Sequence, residues 1–171
     1  MPIPDDHARL SDLTQGEHML LWAFRAAAFG VADCRLVRRQ FEDACGPVGI
    51  EALTALTVFV SELAASGRRR VTLAAPGSYR LTCDEQTILA LFASAQAEDY
   101  PRLEAHLIWL LADTPRAPFA AAACLVAQAF AMNGLLLRLP TVETAPTPRE
   151  PSNPKGILRF SSFGAAACNH A

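Results

Sequence analysis

Lysine is nearly missing from this chain: of fifteen basic side chains, only Lys155 is one. Arginine suits planar, two-point contacts to anions, but a GC-rich coding sequence gives the same preference, so the imbalance alone points to no ligand. A strong charge of either sign is missing too. The formal net charge of -2 excludes a dedicated nucleic-acid coat protein while leaving room for a local basic patch. Closely spaced cysteines are absent. Cys34, Cys45, Cys83, Cys124 and Cys168 are odd in number and form no CxxC pair, which fits neither a zinc site nor a disulfide framework. They read as buried free thiols in a reducing cytosol. HExxH, GxSxG, a Gly-rich phosphate loop and paired carboxylates are all lacking, so no catalytic residue, metal or cofactor is expected. The start of the chain is acidic, without the basic and apolar regions of a signal peptide, and no internal repeat is evident.

What is present is apolar. Half of the 171 residues are hydrophobic, enough for one domain with a sizeable core. Residues 1–12, with two prolines and clustered acids, are expected to be frayed, and residues 13–139 to form a single helical domain. Thr14-Gln15-Gly16-Glu17 is a capping box opening a helix to about Phe29, with Gly30 as its permissive end. Asp33 can cap a second helix to Cys45, whose inner face would be Cys34, Val37, Phe41 and Ala44. After Gly46-Pro47, a third helix runs to about Ser66 with Ile50, Leu53, Leu56, Val58, Phe59, Val60 and Leu63 inward. Val71 and Leu73, then Tyr79 and Leu81, alternate with polar residues on either side of Pro76-Gly77. This is the period of two strands joined by a turn.

Thr82-Cys83-Asp84-Glu85 is a second capping box, and the helix behind it would bury Ile88, Leu91, Phe92 and Ala95. Asp99 and Pro101 start a fifth helix, and an Ala-rich sixth spans Phe119 to Met132. Leu135 to Leu139 reads as a short strand able to join the hairpin. The fold class expected is therefore mainly α, a compact bundle of about six helices with a small antiparallel hairpin or three-stranded sheet. Phe119 to Leu137 is long enough for a bilayer, but alanine inserts weakly and Gln128 and Asn133 interrupt it, so no membrane span is expected. From Pro140 to Ala171 five prolines interleave with Thr, Glu and Ser, giving a flexible tail. Its apolar end, Ile157, Leu158, Phe160 and Phe163, is a candidate docking motif, against the plainer reading of disordered sequence.

The run from Ala75 to Glu85, between an apolar helix and an Ala-rich one, resembles a segment of small uncharacterised bacterial helical proteins. In those, cysteine is common in the turn, where this chain has Gly77 and Ser78. The likeness covers about the middle third of the chain. It implies a cytoplasmic bacterial protein and no catalytic residue.

Two further groups of residues merit a functional reading. Arg35, Arg38 and Arg39 share one side of the second helix, and Arg68, Arg69, Arg70 and Arg80 flank the expected hairpin. Three helices, a hairpin and a basic run invite comparison with a winged helix-turn-helix. The third helix argues against it, offering chiefly Glu51, Thr54, Thr57, Ser61 and Glu62, and phosphate repels acids. The plain reading is a solvated rim protecting a sheet edge. Cys83, near a helix start, is the candidate reactive thiol. His18 with Trp22 and His106 with Trp109 read as boundary pairs lacking the third group that catalysis requires. The leading expectation is a non-enzymatic cytoplasmic interaction or regulatory module, with a protein partner or self-association. The alternative is a nucleic-acid-binding regulator, and the third an enzyme without a local motif.

Overall fold

The computed structural model describes residues 8–66, 70–75, 77–111 and 114–139. The chain divides at Leu139–Pro140, and every described residue belongs to the first unit. Six α-helices lie among the described residues: α1 Gln15–Ala28, α2 Arg35–Cys45, α3 Gly49–Ser66, α4 Cys83–Gln96, α5 Tyr100–Leu111 and α6 Ala117–Met132. The two capping boxes start α1 and α4 as their sequences require. Thr14 and Thr82 each accept the amide three residues on at 3.1 Å, and Glu17 and Glu85 return the contact. Cys34, not Asp33, sits at the cap of α2, and its side chain makes no capping bond. Gly30, Gly46 and Gly134 take the positive φ that ends α1, α2 and α6.

α3 packs on α1, α2 and α6, and α4 on α1, α5 and α6. The core between them is aromatic at its centre. Phe59 lies 5.3 Å from Phe92, 5.2 Å from Phe119 and 6.4 Å from Phe24 between ring centroids. α4 is enclosed on nearly all sides from Ile88 to Ala95. The buried Ser94 hydroxyl therefore turns back to the Ala90 carbonyl at 2.7 Å. α2 and α3 meet closely at Gly49, where a Cβ would collide with the Phe41 carbonyl. Val58, expected inside, is half exposed, and Cys34 is exposed as well.

The expected hairpin and three-stranded sheet are absent: no strand occurs among the described residues, which hold a single antiparallel bridge between Arg9 and Arg80. The alternation holds in part: Val71 and Leu73 are half-buried and Leu81 is buried, but Tyr79 is 81% exposed. What differs is the source of the backbone partners. Asp84 accepts the Thr72 amide at 2.7 Å, Glu85 accepts the Ala74 amide at 3.0 Å, and the Thr82 hydroxyl donates to the Thr72 carbonyl at 2.6 Å. The extended segment is thus laid on the N-terminus of α4 and bonded by capping side chains. Segment 79–81 takes its backbone bonds from residues 8–10, which holds part of the stretch expected to fray.

Residues 135–139 follow the same rule. Gln96 donates to the Leu135 carbonyl at 2.9 Å and accepts the Leu137 amide at 2.8 Å. Thr14 donates to the Leu136 carbonyl at 2.6 Å, and Glu17 accepts the Arg138 amide at 2.7 Å. A Cβ on Gly16 would lie 2.9 Å from the Leu136 oxygen, so this backbone rests directly on α1. Side chains that already satisfy an amide or carbonyl leave it nothing to offer a neighbouring strand.

By length and composition alone, one helical stretch among the described residues, Arg35–Ala65, could cross a bilayer. It is two helices broken by a 3-10 turn at Gly46–Val48, and the apolar side of α3 faces the core. The Ala-rich α6 is only 16 residues long, short of the roughly 20 a span needs.

Candidate functional site

Polar chemistry inside the described unit gathers at two ion pairs that anchor the extended segments. Arg25 stands in the apolar run of α1 and is buried, as is Glu85 on α4. The guanidinium donates through Nε and Nη2 to the two carboxylate oxygens at 2.7 and 2.9 Å. It also donates to the carbonyls of Ser78 and Arg80, each at 3.3 Å. Glu85 in turn accepts the Thr82 and Ala74 amides. All of these groups are therefore spent on holding chain to chain, and the pair is a structural joint.

Glu17 and Arg138 form the second joint, at 2.9 Å. Burial alone would raise the Glu17 carboxyl, but the Arg138 side chain and the Thr14 and Arg138 amides outweigh it and hold it below its ordinary 4.5. Sequence inspection missed both joints because their partners lie 60 and 121 residues apart. One signal was available: an arginine inside MLLWAFRAAA must be buried with its helix, and a buried charge demands a partner.

The surface offers an open groove between α1 and α2. It encloses about 500 Å³ and is lined by Leu13, Thr14, Gln15, His18, Met19, Trp22 and Gln40. Gln15, His18 and Trp22 recur at i, i+3 and i+7, the one side of α1 that is not fully buried. Leu36, one turn before Gln40 on the same flank of α2, is 62% exposed. Along the crest of α2 stand Arg35 and Arg39, with Arg38 on the flank toward α3. Arg35, Arg38 and Arg39 line a separate concavity of about 610 Å³ with Glu42 and Asp43. The one ion pair there is Arg39 to Asp43 at 3.7 Å, with both side chains more than two-thirds exposed, a pair that contributes little.

Among the other expected site residues, Arg70 and Arg80 are exposed on separate extended segments. Arg68 and Arg69 lie outside the described residues, as do Ile157, Leu158, Phe160 and Phe163 of the docking motif. Cys83 opens α4 but is disulfide-bonded, so it is not the free thiol expected of it. Cys34, Cys45 and Cys124 are free, and burial pushes the Cys45 and Cys124 thiols up, away from reactivity. Neither His106 nor Cys83 lines the groove that holds His18. Among the described residues no three His, Cys, Asp or Glu side chains are placed to hold a metal ion. Neither family models, nor curated proteins, nor solved structures give a match to this chain. The likeness of residues 75–85 to bacterial helical proteins accordingly carries no assignment of activity.

His106 on α5 gives a pH dependence with a definite sign. Its Nε2 is buried without a hydrogen-bond partner. Burial first, then the Arg102 guanidinium, push its pKa below the ordinary 6.5, with Asp99 opposing. The folded state therefore binds fewer protons than the unfolded one. Stability is expected to fall as pH drops through 6.5 and to level off below the depressed folded value. Unfolding midpoints measured from about pH 7 to 5 should show this limb, and His106→Leu should flatten it. An unchanged slope in the variant would assign the limb to another group.

Proposed function

We propose that this protein is a non-enzymatic interaction or regulatory module that docks a protein partner along the groove between α1 and α2. The observation that supports the reading is the open groove where half-buried Trp22 and Gln40 meet, with Leu36 exposed one turn before Gln40 on α2. Leu36 would gain burial against a partner, whereas Val37, Phe41 and Cys45 of α2 are already inside. Side chains that could do chemistry elsewhere, Arg25, Glu85 and Glu17, are occupied in holding backbone.

Nucleic-acid binding through Arg35, Arg38, Arg39, Arg68, Arg69, Arg70 and Arg80 draws less support. The outward side of α3 carries Glu51, Thr54, Val58 and Glu62, and no hairpin wing accompanies it among the described residues. Acids on a helix offered to phosphate oppose binding.

The reading is tested by affinity capture from the native cell with both protein and nucleic acid identified. Leu36→Glu, an exposed change that leaves the core alone, should abolish recovery of a specific protein while the variant's unfolding midpoint stays unchanged. Recovery of nucleic acid that is lost with salt, or of a partner indifferent to Leu36→Glu, would overturn it.

A further inference from the structure

We infer that the extended segment 70–73 covers a binding site for a small aliphatic carboxylate. The site goes beyond the interaction reading and shares no residue with the α1–α2 groove.

The cavity follows from how that segment is held. Asp84 and Glu85 accept the Thr72 and Ala74 amides, and Thr82 donates to the Thr72 carbonyl. One edge of the extended chain is thereby fixed to the start of α4. Side chains alternate along such a chain, which sets Val71 and Leu73 together on one side. With Phe24 of α1 and Val60 and Leu63 of α3, they line a space of about 250 Å³. Phe24, Val60 and Leu63 are buried, yet Val71 and Leu73 are only half-buried. Protein interiors hold few voids larger than a water molecule, and an apolar cavity of roughly 150 Å³ already takes benzene. Walls of this composition offer water no partner and gain from contact with hydrocarbon.

Charge then selects the ligand. Arg70 is the one charged side chain among the described residues lining the cavity, and it is exposed at the rim. Arg25, Arg39, Arg102, Arg116 and Arg138 each pair with a carboxylate. Arg70 makes no ion pair among the described residues. A guanidinium presents parallel donors that match the two oxygens of a carboxylate. The Val71 and Leu73 amides, on the edge away from α4, make no hydrogen bond among the described residues either. Apolar walls beneath one unpaired planar cation suit a chain of several methylenes ending in a carboxylate. They disfavour an amine of the same length.

Calorimetric titration of the full chain with octanoate tests this, beside hexanoate, octylammonium and octan-1-ol. Octanoate should bind saturably at one site below about 1 mM, and raise the unfolding temperature as the site fills. Hexanoate should bind about tenfold more weakly for its two missing methylenes, and octylammonium at least about tenfold more weakly for its charge. Arg70→Gln, an exposed change, should cost octanoate about tenfold and leave octan-1-ol unaltered. Ala64→Phe, at the exposed rim of the cavity, should block octanoate and octan-1-ol alike, with circular dichroism confirming the fold.

Absence of saturable octanoate binding up to about 1 mM would overturn the proposal. So would equal binding of octylammonium, or octanoate binding untouched by Arg70→Gln, since neither uses a cation at this site. Binding that survives Ala64→Phe would place the ligand elsewhere and overturn it equally. Each of these failures leaves the α1–α2 groove reading standing, because that reading is probed by Leu36→Glu.

Discussion

Arg25→Ala is expected to lower the unfolding free energy by about 3–5 kcal/mol, because it strands the buried Glu85 carboxylate without its counter-charge. Small domains are stable by only about 5–15 kcal/mol, so the variant should be near its folding limit. An isolated buried pair can often be exchanged for two apolar residues at no loss. Here that rescue should fail. Glu85 also accepts the Thr82 and Ala74 amides, and Arg25 also serves the Ser78 and Arg80 carbonyls. The double variant Arg25→Met, Glu85→Leu would leave those groups without their partners, and should remain destabilised relative to the parent. Chemical denaturation of both variants checks this. A double variant as stable as the parent would show that the joint is an ordinary ion pair and does not organise the extended segments.

Phe59→Ala is expected to cost about 3–5 kcal/mol, the range for emptying a fully enclosed phenylalanine site. Phe59 should sit at the top of that range because three rings, Phe24, Phe92 and Phe119, contact it from α1, α4 and α6. Each aromatic pair contributes about 0.5–1.5 kcal/mol beyond burial. Phe41 is equally buried but meets one ring, Phe130, at 6.0 Å. Unfolding free energies should therefore fall further for Phe59→Ala than for Phe41→Ala. The opposite order would place the centre of the core at the α2–α6 contact.

The residues that were legible in the sequence act locally. Thr14 with Glu17 and Thr82 with Glu85 bond across three residues, so their spacing reveals the cap. Glycine at positive φ after α1 and α6 is similarly local. The hairpin misreading has an instructive cause. Alternation at Val71, Leu73 and Leu81 reports an extended chain with one side against the core, and nothing more. Whether it becomes a strand depends on which atoms satisfy its amides: for Thr72 and Ala74 those belong to Asp84 and Glu85 on α4, and for Leu81 to the Ala8 carbonyl. A side chain that caps its own helix and also binds a distant backbone writes only the first role into neighbouring sequence.

The proposed interaction surface was half legible. The arginine trio on α2 follows from i, i+3, i+4 spacing. The groove depends on how α1 lies against α2, which places Trp22 near Gln40 although eighteen positions separate them in sequence. Leu36 was left off the expected inner face of the second helix, and it is exposed.

Site-specific photo-crosslinking in the native cell tests the interaction claim most directly. A photoreactive residue replaces Gln40 at the groove or, separately, Gln128 on the outward side of α6, both polar positions whose replacement leaves the core intact. The groove position should yield one dominant protein adduct, lost when Leu36→Glu is added, and the α6 position should yield none of it. Equal adducts at both positions, or none at Gln40, would contradict the assignment of the α1–α2 groove as the site where this protein meets its partner.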